Sequence, residues 1–245
     1  MRIVVTNCNT TQEMTAEIVR GARTAAGPGT TVTGLTPAWG PESAEGWLDS
    51  YLSATAVLDT LRTYREPYDA VVMAGFGEHG REGARELVDV PVVDITEAAA
   101  HLACLLGRRY GVVTTLERSC GQIEDSLETA GVGRNCAAVV GTGLGVLDLA
   151  DTGRTRAAFV TAAERARQAG AEVLVLGCAG MTGLQREVGE KVGLPVVDGV
   201  TAAVKLAESL VSLGLTTSRA GSWARPLPKR RVWRGPGERP PTPGR

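Results

Sequence analysis

The sequence predicts an α/β fold made of two pseudo-symmetric parallel-sheet units, each a three-layer αβα arrangement, with the active site between them. Three observations predict it. Strand-length runs rich in Val, Ile and Leu alternate with helix-length segments along the chain, the pattern of parallel strands covered on both faces. The chain also nearly repeats itself. Tyr68-Asp-Ala-Val-Val-Met-Ala-Gly75-Phe-Gly, followed by Pro91-Val-Val-Asp94, returns as Ala171-Glu-Val-Leu-Val-Leu-Gly-Cys178-Ala-Gly, followed by Pro195-Val-Val-Asp198. The copies are 103 residues apart at the turn and 104 at the proline. Finally, 245 residues with 43% hydrophobic but only 4% aromatic content can bury a full core by close helix-on-sheet packing.

The first unit opens with a strand at Arg2–Thr6 and a helix at Gln12–Ala25, with Thr10 or Thr11 as its cap. Thr31–Leu35 is the second strand. The segment Thr36–Gly46, with Pro37 and the pair Gly40-Pro41, is a loop. A helix at Trp47–Arg65, a strand at Ala70–Ala74, a short helix at Arg81–Val88, a strand at Pro91–Asp94 and a helix at Glu97–Leu106 follow. The second unit runs through Tyr110–Thr114, a helix near Ser119–Ala130, Cys136–Val140, a helix near Arg154–Gln168, Val173–Leu176 and a helix after Thr182. It closes with Pro195–Val197 and a long helix, Thr201–Leu213.

Composition excludes several classes. No apolar run is long enough to span a bilayer, and Ile3-Val4-Val5 is too short for a signal peptide. Five scattered cysteines form neither a disulfide framework nor a zinc spacing, so a reducing cytoplasm is the expected location. From Arg219 to Arg245 there are eight Lys/Arg and one Glu, a local +7, which leaves the body at about −8. That Pro/Gly-rich tail, residues 227–245, is expected to be disordered and solvated. It carries no aromatic-and-basic surface for nucleic acid.

Ligands of parallel sheets bind beyond the carboxyl ends of the strands, which selects the turns Asn7–Thr11, Gly75–Gly80, Thr114–Arg118 and Cys178–Thr182. Cys178 ends a strand with Gly177, Gly180 and Gly183 around it. Free backbone N–H groups and a following helix there are expected to lower the thiol pKa and favour thiolate. The bland alternative is a buried structural cysteine.

These residues carry a resemblance. The Val-Leu-Gly-Cys178-Ala-Gly-Met181 turn resembles the second catalytic-cysteine turn of the aspartate/glutamate/hydantoin racemase superfamily, in its hydantoin racemase branch, with allantoin racemase nearby. Arg2-Ile-Val-Val-Thr-Asn7-Cys8-Asn9-Thr10-Thr11 is similar to that branch's opening Asn-Pro-Asn-Thr turn. Glu97-Ala-Ala-Ala-His101, Val113-Thr114-Thr115 and Ala202–Trp223 also match, so the resemblance spans residues 1–226. It implies cofactor-free proton transfer. One cysteine thiolate removes the proton beside a carbonyl, and a second thiol returns one from the opposite face. It also implies a small-molecule substrate, no nucleic-acid or membrane partner, and a homo-oligomer. It divides the chain into a unit at 1–98 joined by 201–226, and a unit at 99–200.

The chain departs from the family at the first cysteine. Where the racemases have Ala-Cys-Phe-Gly-Asp-Pro-Gly, it has Ala74-Gly75-Phe76-Gly77-Glu78-His79-Gly80. His79, with a near-neutral intrinsic pKa, is one candidate for the missing base. Cys8, which replaces the family's proline at a neighbouring strand end, is another. The third possibility is Cys178 alone, which resembles arylmalonate decarboxylase, a single-cysteine enolate enzyme of the same superfamily. A catalytically inactive binding homologue is a further alternative. Asn7, Asn9, Thr10, Thr114 and Thr115, with the turn residues Gly75, Phe76, Gly77, Ala179 and Gly180, are the expected substrate contacts. Neutral donors and acceptors suit a cyclic ureide. His101 is expected to pack or hydrogen-bond in its Ala/Leu helix rather than titrate in catalysis, Cys104 and Cys136 to be core, and Cys120 to sit unpaired at a helix start. Gly75-Phe-Gly77-Glu-His-Gly80 also matches GxGxxG, a nucleotide-binding turn. Its place on a later strand, and a twin that contains Cys178, argue against that reading.

Overall fold

A computed structural model of the chain describes residues 1–150, 152–231 and 233. Strands β1 (Arg2–Asn7), β2 (Thr31–Leu35), β3 (Ala70–Ala74) and β4 (Val92–Asp94) form one parallel sheet in the order β2-β1-β3-β4. Strands β5 (Tyr110–Thr114), β6 (Cys136–Gly141), β7 (Val173–Leu176) and β8 (Val196–Asp198) form a second, in the order β6-β5-β7-β8. The two orders are the same, so the repeat in sequence is a repeat in topology. The central strands β3, β5 and β7 are buried along their whole length. Each Val or Leu sequestered there contributes about 1.5–3 kcal/mol. The edge strand β2 reads differently, with Thr31 exposed and Val32 buried.

The helices are α1 (Gln12–Ala25), α2 (Trp47–Thr63), α3 (Arg81–Leu87), α4 (Ile95–Leu106), α5 (Cys120–Thr129), α6 (Thr152–Gln168), α7 (Gln185–Val192) and α8 (Gly199–Ser212). Both α4 and α8 start two residues earlier than the sequence suggested. The repeated Val-Val-Asp explains this. Asp94 accepts hydrogen bonds from the N–H groups of Thr96 (2.8 Å) and Glu97 (3.2 Å), and Asp198 accepts one from Thr201 (2.8 Å). Each aspartate is an N-cap. At α1 the expectation of a threonine side-chain cap fails. Thr11 is the N-cap residue but makes no capping bond; its hydroxyl donates to Glu42 O at 2.8 Å.

Helices α4 and α8 exchange sides. Helix α4 follows the first sheet yet packs on β5 and β7, whereas α8 follows the second and packs on β3, β4 and α1. They meet at their N-termini so closely that a side chain at Gly199 would lie 2.9 Å from Ile95 O. One hydrophobic core therefore runs from Ile3 and Val72 through Ala99 and Val204 to Val112 and Val175. After α8 the chain returns along the first unit. Thr217 Oγ1 donates to Val90 O (2.9 Å), Arg219 Nη1 to Arg85 O (2.9 Å), and the Arg85 guanidinium lies over the Trp223 ring at 4.9 Å. Residues 234–245 of the expected tail lie outside the described residues. Among the described residues no helix is long and apolar enough to cross a membrane.

Candidate active site

Strand register brings the chemistry together. Asn7 pairs with Ala74 across β1 and β3, so the next residues, Cys8 and Gly75, stand side by side where the strands end. In the second sheet Val113 pairs with Leu176, and Gly177 N–H donates to Val113 O at 2.8 Å, which sets Thr114–Thr115 beside Gly177–Cys178. A narrow cleft of about 40 Å³ lies between these strand ends, lined by Cys8 and Gly75 from one unit and Thr115 and Cys178 from the other. In the pseudo-symmetry Gly75 is the twin of Cys178, and Cys8 is the twin of Thr115. Its described lining contains no Arg, Lys, Asp or Glu.

The expected low pKa of Cys178 is overturned. Burial pushes the thiol up to about 11, only partly offset by a hydrogen bond from the Gly180 backbone. The turn after Cys178 is a single 3₁₀ turn, Ala179–Met181, and the α-helix begins only at Gln185. The helix end is thus too remote to compensate, since its field fades within a turn. Cys8 is pushed up to about 12, first by burial and then by the nearby Cys178.

His79 is poorly placed to supply a base. Its ring is buried, and burial pulls its pKa down to about 4. Both ring nitrogens are occupied. A carbonyl can only accept, so Nε2–H donates to Phe76 O at 3.3 Å, and Nδ1 accepts from the Ser50 hydroxyl at 3.1 Å. Gln122 Nε2 donates in turn to Ser50 Oγ and to Glu78 O. What the ring does is fill space. A Cβ added at Gly75 would overlap its Cδ2, approach its Cγ to 3.0 Å and lie 2.8 Å from Cys8 Cβ. Positions 8, 75 and 79, three of the four at which the sequence differs from the motifs it resembles, are one contiguous cluster. While His79 sits in this rotamer, residue 75 has room only for glycine.

The remaining expected contacts divide. Asn9, Phe76, Thr114, Thr115 and Ala179 line the cleft, as does Asn7. Asn7 is committed to its own turn, however, with Nδ2 directed at Asn9 Oδ1 (2.8 Å), Thr15 Oγ1 (3.1 Å) and Thr11 O (3.2 Å). The Thr114 hydroxyl donates to Gly177 O at 3.0 Å. Asn9 Nδ2 has only the weak acceptor Met14 Sδ (3.2 Å), and the Thr115 hydroxyl has no hydrogen bond among the described residues. Thr10, Gly77 and Gly180 are outside the cleft lining. Thr10 is tied to Pro41 O, and Gly77 is a left-handed turn residue (φ 112°) whose N–H donates to Thr96 Oγ1. Gly180 acts on Cys178 from behind.

Sequence reading missed Ser50, Ser119 and Gln122, which sit on helical segments with no motif around them. Their one signal is a polar residue on a buried helix face. The GxGxxG reading fails on geometry. The N–H groups of Gly80 and Arg81 already donate to Glu78 Oε1, so a carboxylate stands where a phosphate would bind. His101 is exposed and hydrogen-bonds within its own helix, Nδ1–H donating to Glu97 O at 2.7 Å. Cys104 and Cys136 are half-buried at the core's margin. Cys120, against Glu117, is pushed up to about 11 by burial and that carboxylate.

Known proteins match this architecture end to end. The Asp/Glu/hydantoin racemase family profile matches residues 3–207. The hydantoin racemase of Paenarthrobacter aurescens is 36% identical over 235 residues, 94% of this chain and 99% of that protein. The crystal structure of allantoin racemase from Pseudomonas fluorescens superposes with a TM-score of 0.93 at 52% identity, covering 95% of this chain and 100% of that one. Allantoin racemase from Klebsiella pneumoniae gives 0.91 at 39% identity, covering 96% and 99%. The two-sheet α/β fold and these matches together place the chain in the Asp/Glu/hydantoin racemase family.

Proposed function

We propose that the chain is a cofactor-independent racemase of a hydantoin-like substrate, a 5-substituted hydantoin or an allantoin-type ureide, with Cys178 and Cys8 as its two thiols. The observation that carries this reading is the position of Cys8. Its Cβ lies against the space a side chain at 75 would occupy, across the cleft from Cys178. The first thiol has in effect moved from one strand end to the next.

The thiolate of one cysteine takes the proton from the carbon beside the ring carbonyl. The electron pair passes into the carbonyl as an enolate, and the opposite thiol delivers its proton to the other face. One thiolate and one thiol remain, exchanged, and the reverse reaction restores them. Mutual repulsion favours this state, because a charge on Cys178 raises the pKa of Cys8 and disfavours two thiolates together. Asn9 Nδ2 and the Thr115 hydroxyl are the donors left to hold the ring, and a cleft without charged lining suits a neutral ureide better than a free amino acid.

The test is deuterium uptake into enantiopure hydantoins in heavy water, followed by NMR and chiral chromatography. Exchange with racemisation is expected. Racemisation should disappear in both Cys178→Ser and Cys8→Ser, with each variant keeping exchange into one enantiomer only, opposite for the two. Full racemisation by Cys8→Ser would defeat the two-thiol assignment. Exchange with retained chirality in the wild type would point to single-thiol enolate chemistry, and no exchange would remove the hydantoin class.

A further inference from the structure

The loop between β2 and α2, residues 36–46, joins the two halves of the cleft. Its middle is pinned beside the Cys8 turn, where Thr10 N–H donates to Pro41 O at 3.0 Å and Thr11 Oγ1 to Glu42 O at 2.8 Å. Its end reaches the second unit through Glu45. The Glu45 carboxylate accepts the Val146 N–H at 2.8 Å, and its carbonyl accepts the Ser119 hydroxyl at 3.3 Å. Val146 and Ser119 line the cleft from one unit, and Ala44, next to Glu45, lines it from the other. Between these walls the cleft offers about 40 Å³, room for about three waters and too little for a substituted diketo ring to seat with the walls where they stand. A ring substrate therefore enters only when this grip loosens, and the walls regain their places only when it re-forms.

We infer that Glu45 is a positioning residue, the latch by which the 36–46 loop seizes the segment around Val146 and shuts the cleft over a bound ring. The inference rests on the racemase reading for the substrate's identity, while the latch itself is geometric. A carboxylate accepting a main-chain N–H makes a charge-assisted bond. Glutamine keeps an acceptor oxygen at that point and alanine keeps none. The Glu45 charge also lies close enough to Cys178 to add to the rise in its pKa, so accessibility and thiolate fraction must be read separately.

The experiment compares wild type, Glu45→Ala and Glu45→Gln in the rate of Cys178 alkylation by a bulky maleimide and by iodoacetamide, followed by peptide mass spectrometry. In the ratio of the two rates the thiolate fraction cancels and the opening of the cleft remains. Glu45→Ala is expected to raise the ratio about tenfold, the worth of one such bond, and Glu45→Gln to leave it within about twofold. In racemisation, kcat/KM falls about tenfold in Glu45→Ala, and Glu45→Gln recovers most of it. An unchanged ratio in Glu45→Ala, or a Glu45→Gln ratio equal to that of alanine, overturns the latch. Global unfolding of Glu45→Ala in a thermal melt would overturn a local role as well. If no variant and no wild type exchanges deuterium into any hydantoin, the substrate reading falls while the alkylation ratio still decides the latch.

Discussion

Placing a cysteine at position 75 is expected to damage this chain unless residue 79 changes with it. In Gly75→Cys the new Cβ meets the His79 ring and lies 2.8 Å from Cys8 Cβ. The ring has to move, although it is held by Ser50 on Nδ1 and by Phe76 O on Nε2. Overpacking costs about 2 kcal/mol, and losing two neutral hydrogen bonds costs about 2 more, so Gly75→Cys should lose about 4 kcal/mol of stability. His79→Ala alone leaves a hole and strands the Ser50 hydroxyl and the Phe76 carbonyl, at about 3 kcal/mol. In the double variant the new Sγ grows into the vacated space, the overlap with the ring is gone, and only the 2.8 Å approach to Cys8 Cβ remains. Its loss should therefore fall short of the sum of the single losses by about 2–3 kcal/mol, the range for residues in direct contact. Urea unfolding of the four proteins at one concentration and pH 7 measures the cycle. Additivity within about 0.5 kcal/mol would refute the argument that His79 occupies the first-cysteine space.

Other outcomes follow from the same geometry. Both thiols titrate far above neutrality, so kcat/KM for racemisation should climb about tenfold per pH unit from pH 7 to pH 10 as the thiolate fraction grows; a flat stopped-assay profile over that range would contradict it. Cys178→Ser should lose racemisation by about 10³-fold or more, measured by polarimetry. His79 is held neutral when folded, its pKa down from 6.5 to about 4, so the unfolded chain takes the proton first as pH falls. The stabilisation it confers is whole above pH 6.5 and disappears by about pH 4, some ~3 kcal/mol in all, and the difference between wild type and His79→Gln across that window should show it. Asp94→Ala removes the cap of α4 and a carboxyl 3.6 Å from the buried Arg81, one whose pKa burial raises to about 7; a loss of about 2 kcal/mol is expected. Asp94→Asn should cost less because it keeps the cap oxygen.

Much of the architecture is local information. The runs Ala70–Ala74, Tyr110–Thr114 and Val173–Leu176 are readable as buried parallel strands because every residue in them is apolar or small, and their bounds in the structure are those the sequence indicated. The internal repeat announces two equivalent sheets, and Cys178 announces its own turn because glycines flank it at a strand end. Helix starts at Ile95 and Gly199 were misjudged by two residues because the capping role of Asp94 and Asp198 depends on where their side chains turn. Ser50, Gln122 and Glu45 were illegible. Each matters through a partner between 29 and 101 residues away, and no local pattern records such a partner.

The sequence by itself determined the fold class, the repeat, the family and the strand ends at which chemistry gathers, since apolar periodicity and turn composition act over a few residues at a time. Only the tertiary structure decided how the candidate groups are placed and how deeply each is buried. The pairing of Asn7 with Ala74 sets Cys8 beside Gly75, and the packing of α2 and α5 over the turn locks His79 as the filler of the space there. Burial raises Cys178 where the turn alone suggested a depressed pKa. Desolvation and register are properties of the assembled molecule, produced by residues far apart in the chain, and they outweigh what each turn would do on its own.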